Sequence, residues 1–94
     1  HSPKNLSMAL TVEAGELMEH MQWLTEEESR NLPPSKKAKV EDEIGDVLIY
    51  LARLSDKLGI DPLEAAFNKL RKNEKKYPVK HSRGNALKYT EFDD

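Results

Sequence analysis

The chain contains no cysteine, which excludes disulfides, thiolate metal ligands and cysteine nucleophiles together. Aromatic residues are scarce at 6%, and hydrophobic residues reach only 37% of 94. A core that thin, in a chain about the size of one small domain, calls for help from a second subunit. Charge of one sign is not in excess, since 15 Lys and Arg stand against 17 Asp and Glu for a net charge of -2. A protein that coats nucleic acid carries a strong basic excess, so no nucleic-acid partner is expected. No apolar run approaches the roughly 20 residues a membrane helix needs, and no signal-peptide pattern opens the chain. No membrane partner is expected, and a cytoplasmic address is the default. Internal repeats, low-complexity segments and strand-like alternation are also lacking.

What is present is helical punctuation. Ser2-Pro3 suits an N-cap followed by proline at the first helical position. From Lys4 to Leu24 the residues Leu6, Leu10, Leu17, Met21 and Leu24 recur at helical period. Thr25-Glu26-Glu27-Glu28 has the spacing of a capping box and starts a short helix. Pro33-Pro34 stops that helix, and Ser35 can cap the next, whose stripe is Val40, Ile44, Val47, Leu51, Leu54 and Leu58. Gly59 sits where a helix favours a C-terminal glycine. Asp61-Pro62-Leu63-Glu64 opens a third long helix with Leu63, Ala66, Phe67, Leu70 and Tyr77 on one side, closed by Pro78. The fold class is therefore all-α, a bundle of three long helices plus a short one over residues 1–78. Residues 79–94 form an irregular C-terminal tail.

Two acidic pairs stand out. Glu13 and Glu16 are three residues apart, as are Glu43 and Asp46. Residues at i and i+3 are neighbours on a helix surface, so each pair can converge on one point. Glu13 lies about 40° from the centre of its apolar stripe, and Glu43 borders its own stripe near Val40 and Val47. Packing the two stripes together carries both pairs to the edge of the core. Carboxylates gathered there are costly unless a cation neutralises them. Oxygen ligands without sulfur or an adjacent histidine suit a hard ion, Mg²⁺ or Mn²⁺. In a chain one-third charged such pairs also arise as solvated faces, and it is the pairing of two on helices that pack together that favours a metal. A di-iron bundle needs Glu-x-x-His pairs on two helices. Here His20 falls four residues after Glu16, and the second long helix has no histidine.

The third helix presents Lys69, Lys72, Asn73 and Lys76 within roughly a 100° arc. Such a stripe can hold a phosphate chain, although spacing alone favours an ordinary solvated lysine face. Trp23, on the Glu16 side of its helix, can stack on a base or cover the helix end. Tyr50, four residues beyond Asp46, can orient a carboxylate or contact a substrate. His1, Lys4 and Asn5 precede Glu13 by roughly two to three turns. His20 and His81 show no partner in the pattern.

Together these residues resemble the MazG-like, all-α nucleoside triphosphate pyrophosphohydrolases. The resemblance runs through His1-Ser2-Pro3-Lys4-Asn5-Leu6, Glu13-Ala14-Gly15-Glu16-Leu17, Gln22-Trp23 and the segment from Glu43 to Leu51. It continues through Lys69 and the run from Asn73 to Pro78. Arg83 and Lys88-Tyr89-Thr90-Glu91 look like the tail of the dCTP pyrophosphatase branch. The resemblance implies a magnesium-dependent hydrolase that cleaves a nucleoside triphosphate between the α- and β-phosphates, a house-cleaner of nucleotide pools with a dCTP-like substrate favoured. It implies Glu13, Glu16, Glu43 and Asp46 as catalytic metal ligands. Substrate contacts carry over to His1, Asn5, Trp23, Tyr50, Lys69, Asn73 and Tyr77, with Lys76 and Arg83 at matching basic positions. Members assemble as dimers or dimers of dimers, so a homodimer or homotetramer is expected. Family members usually carry a further helical segment ahead of the His-x-Pro motif, so part of the base pocket is expected to be missing here or supplied elsewhere. Lys72 stands where relatives vary.

The expected mechanism has magnesium bridge the carboxylates and the triphosphate, with water as the nucleophile and Glu13 or Glu16 as general base. Two alternatives stand beside it. One is a relative acting on phosphoribosyl-ATP or dUTP. The other is a non-enzymatic helical interaction module, in which the acidic pairs and the lysine stripe mediate pairing.

Overall fold

A computed structural model describes residues 1–76, and every element in that range is helical. The chain folds as α1 (Pro3–Glu19), α2 (Glu26–Arg30), α3 (Pro34–Lys57) and α4 (Pro62–Lys76), the all-α class expected from the sequence. The tail expected over 79–94 lies outside the described residues. Two compact units divide the chain, His1–Ile60 and Asp61–Asp94. The first is built on α1 packed against α3.

Local chemistry sets the ends. The Ser2 hydroxyl accepts from the Asn5 N–H at 3.1 Å, with Pro3 opening α1. At α2 the capping box is complete. The Thr25 hydroxyl accepts from the Glu28 N–H at 3.1 Å, and a Glu28 carboxylate oxygen accepts from the Thr25 N–H at 2.9 Å. Both Glu26 and Glu27 pair with Arg30 across the exposed side of this helix. The C-terminus of α3 closes with the Gly59 N–H donating to the Asp56 carbonyl at 3.1 Å and the Ile60 N–H to the Ser55 carbonyl at 2.9 Å. That pattern needs a left-handed residue, and Gly59 has φ of 66°. In the second unit, Asp61 Oδ1 caps α4 by accepting from the N–H groups of Leu63 and Glu64 at 3.0 and 3.2 Å.

Two boundaries differ from the sequence expectation. The first helix ends at Glu19 rather than Leu24, and residues 20–24 run through tight turns. The His20 N–H donates to the Leu17 carbonyl, and the N–H groups of Met21 and Gln22 both donate to Met18. The reason lies downstream: Thr25 must be extended to cap α2, with ψ at 164°, so the chain leaves the helix before it. At α3 the cap is not Ser35. Helix geometry begins at Pro34, whose ring presets φ and whose missing N–H loses nothing in the first turn.

The buried seam between α1 and α3 follows alternating steps of four and three residues. On α1 it runs through Leu6, Leu10, Glu13 and Leu17, and on α3 through Val40, Glu43, Val47, Tyr50 and Leu54. Such a seven-residue repeat keeps two helices facing one another. Only Leu6 (2% exposed) and Val40 (7%) are fully buried apolar side chains among the described residues. Ser55, also buried, donates its hydroxyl to the Leu51 carbonyl at 2.8 Å. The stripe expected on α3 thus splits: Val40, Val47 and Leu54 turn inward, while Ile44, Leu51 and Leu58 are exposed.

Candidate metal centre

The seam explains the acidic site. Glu13 and Glu43 occupy positions in the middle of the α1–α3 contact that the repeat would otherwise fill with apolar side chains. They therefore lie within the helix contact rather than at its border. Carboxylate oxygens of Glu13, Glu16 and Glu43, all half-buried, lie within 4.8 Å of one another. Asp46, one turn on from Glu43, is exposed and stands outside that trio, although its negative charge reaches Glu13.

Two atoms in the cluster lack what buried polar atoms normally have. Oε2 of Glu13 and Oε2 of Glu43 are buried and meet no hydrogen-bond donor, whereas nearly all buried polar atoms in folded proteins are bonded. The electrostatics agree. The Glu13 carboxyl is pushed up from 4.5 to about 7. Glu16, to which the protonated form can donate, is the chief cause; removal from water and then Glu43 follow, and the charges of Glu16 and Asp46 add to them. A hard divalent cation answers both deficits. Its oxygen ligands stand about 2.0–2.6 Å away, which places them at most about 5 Å apart. The donor set here contains only oxygen.

The other expected site residues are placed as follows. His1 and Asn5 are exposed at the start of α1. Tyr50 is half-buried in the seam, two turns after Glu43, with the Arg53 guanidinium 5.5 Å from its ring centroid. Trp23 is 86% exposed and sits in the turn after α1, off the helix face on which the sequence placed it. In the second unit Lys69 and Lys76 are exposed and Asn73 is half-buried, at the four- and seven-residue spacing that puts them on one side of α4. Tyr77 and Arg83 lie outside the described residues.

Sequence reading missed a cleft of about 400 Å³ beside α2, lined by Leu24, Glu28, Asn31, Leu32, Pro33 and Lys36. No local spacing signals it, because it forms only where residues 24–33 fold back beside Lys36.

An all-α helix pair with an oxygen-only site able to bind a divalent metal defines a class, and comparison with known proteins narrows it. The MazG-like family model matches residues 8–92, and the chain belongs to the MazG-like family. It is 42% identical to dCTP pyrophosphatase 1 of Mus musculus over 98% of its length, covering 55% of that protein. Against dCTP pyrophosphatase 1 of Homo sapiens the identity is 39%, over 98% of this chain and 55% of the relative. The chain thus spans about half the length of these curated relatives. It also resembles the crystal structure of a pyrophosphatase from Archaeoglobus fulgidus DSM 4304. That likeness has a TM-score of 0.77 and 46% identity, over 83% of this chain and 73% of that one.

Proposed function

We propose that the protein hydrolyses a nucleoside triphosphate between its α- and β-phosphates in a magnesium-dependent reaction, releasing the monophosphate and pyrophosphate, with a dCTP-like substrate favoured. The observation that carries this reading is the pair of buried, unbonded carboxylate oxygens on Glu13 and Glu43 inside a cluster completed by Glu16. Similarity to dCTP pyrophosphatase 1 over nearly the whole chain supports the substrate class.

Glu13, Glu16 and Glu43, joined by Asp46, would hold the cation. When bound, magnesium supplies neutralisation of charge developing on the phosphates and makes water at the site more acidic. Of the two candidate bases, Glu16 is the better placed. Glu13 turns an oxygen into the seam, away from water, and serves as a ligand; Glu16 can take the proton of the attacking water. Lys69 and Asn73, with Lys76, hold the phosphate chain by charge and an amide. Tyr50, one turn after Asp46, would orient that carboxylate or contact the substrate, with the Arg53 guanidinium over its ring. His1 and Asn5 at the start of α1 and Trp23 beyond its far end are proposed nucleoside contacts, and Tyr77 and Arg83 further proposed substrate contacts. Nucleotide-pool house-cleaning is the role that fits this reaction.

The working unit is a homodimer or a dimer of dimers. Ile44, Leu48 and Ile49 on α3, with Met8, Val12 and Met18 on α1, form apolar faces turned away from the seam and more than half exposed. Faces of that kind commonly mark subunit interfaces, and two-fold symmetry is the commonest way to close them.

Incubation with dCTP and Mg²⁺ tests the reaction. Release of dCMP and pyrophosphate, abolished by EDTA, is the expected result; release of orthophosphate, or turnover indifferent to EDTA, refutes it.

A further inference from the structure

Asp46 is exposed and stands outside the trio of Glu13, Glu16 and Glu43, so a cation held by all four acids needs Asp46 drawn inward. The means lie on its own helix. Glu43, Asp46, Tyr50 and Arg53 follow one another at steps of three, four and three residues, the spacing that keeps them on one face of α3. Tyr50 is half-buried in the seam, and its hydroxyl has no hydrogen-bond partner among the described residues. A tyrosine hydroxyl at the edge of a core usually finds one.

Arg53 is placed against that ring. Asp56 lies three residues further on, where an ion pair could form, yet among the described residues Arg53 pairs with no carboxylate. Its guanidinium lies over the Tyr50 ring, 5.5 Å from the centroid, within the roughly 6 Å of a cation–π contact. Exposed contacts of the two kinds are both of small worth, so stability does not decide between them. The consequence is directional. Long helical side chains lean toward the helix N-terminus. Arg53 does so onto Tyr50, and the same lean brings Tyr50 over the turn that carries Asp46.

We propose that Arg53 is a positioning residue for the metal site. Stacked on Tyr50, it holds the tyrosine hydroxyl where it donates to the Asp46 carboxylate and turns that carboxylate toward Glu43. This rests on the reading of Asp46 as a metal ligand and deepens it. A hydrogen bond to a ligating carboxylate fixes its orientation and raises metal affinity. The sign of the effect separates positioning from a simple field. Arg53 is seven residues from Asp46, about 10 Å along the axis. As a bare charge it repels a divalent cation, and its removal would tighten binding. As a positioning group, its removal loosens binding.

The test follows the rise in melting temperature with Mg²⁺ concentration for wild type, Arg53→Met, Arg53→Lys, Tyr50→Phe and the Arg53→Met/Tyr50→Phe double variant. Tyr50→Phe should raise the half-maximal Mg²⁺ concentration by about tenfold or more. Arg53→Met should raise it by about threefold, the worth of an exposed cation–π contact, with the melting temperature in EDTA unchanged. Arg53→Lys, which keeps the cation over the ring, should restore most of the loss. In the Tyr50→Phe background Arg53→Met should add nothing, because its route to Asp46 is gone. Tighter or unchanged Mg²⁺ binding in Arg53→Met would overturn the proposal, as would an equal loss in the Tyr50→Phe background or a fall in melting temperature already present in EDTA. A wild type that responds to Mg²⁺ but cleaves no triphosphate would refute the nucleotide reading alone, so the two failures are distinguishable.

Discussion

Glu13 on α1 and Glu43 on α3 each turn a buried carboxylate oxygen into the contact between their helices, and neither oxygen meets a donor. Two acids thus stand in the middle of a seam whose other members are largely apolar. Repulsion between them weakens the apo fold, and a cation removes it.

Glu43→Gln tests this directly. The substitution keeps shape and removes one repelling charge, so the melting temperature without metal should not fall. Pyrophosphate release should drop more than about 100-fold, since even residues that only support metal ligands are worth 10–100-fold. Mg²⁺ should also raise the melting temperature of wild type more than that of the variant. Near-normal turnover would remove Glu43 from the metal site.

The pH dependence of apo stability carries a definite sign. The Glu13 carboxyl is near 7 when folded and near 4.5 otherwise, so between those values the folded chain binds more protons than the unfolded chain. Stability from this group is fully present below about 4.5 and is lost as pH rises through about 7. In EDTA, wild type should lose melting temperature relative to Glu13→Gln across that window. A difference between the two that stays flat from pH 4.5 to 8 contradicts the shift.

Gly59→Ala should destabilise by about 1–2 kcal/mol, because φ of 66° is costly for any residue with a Cβ. No atom lies within 4 Å of the position a Cβ would take, so the cost is conformational and not a clash. Gly59→Asn should recover part of it. Thermal or urea unfolding of the three proteins decides the point, and an alanine variant as stable as wild type contradicts it.

Leu48→Glu addresses assembly. Leu48 is 63% exposed on α3, and a charge at such a position in an isolated chain would change stability by no more than about 0.5 kcal/mol. In a dimer interface it should lower the mass measured by light scattering toward 10.8 kDa. Wild type already at that mass while active would end the dimer proposal.

Much of this protein was legible in the sequence because its rules are local. Caps at Ser2, Thr25 and Asp61 and the left-handed Gly59 depend on atoms a few residues away, so their residue types announce them. The i, i+3 spacing of Glu13 with Glu16 is equally local. Tertiary contact decided the rest. Ile44 and Val47 have the same hydrophobic character, yet only the packing of α1 on α3 selects Val47 for the seam and leaves Ile44 outside. Likewise nothing in the run His20-Met21-Gln22-Trp23 forbids helix; the extended cap at Thr25 ends it. The juxtaposition of Glu13 with Glu43, thirty residues apart, and of Leu24 with Lys36 across the cleft arises only when the chain folds back. A periodicity of about 100° per residue fixes which side chains share a face, and only the neighbouring helix fixes which of those faces is buried.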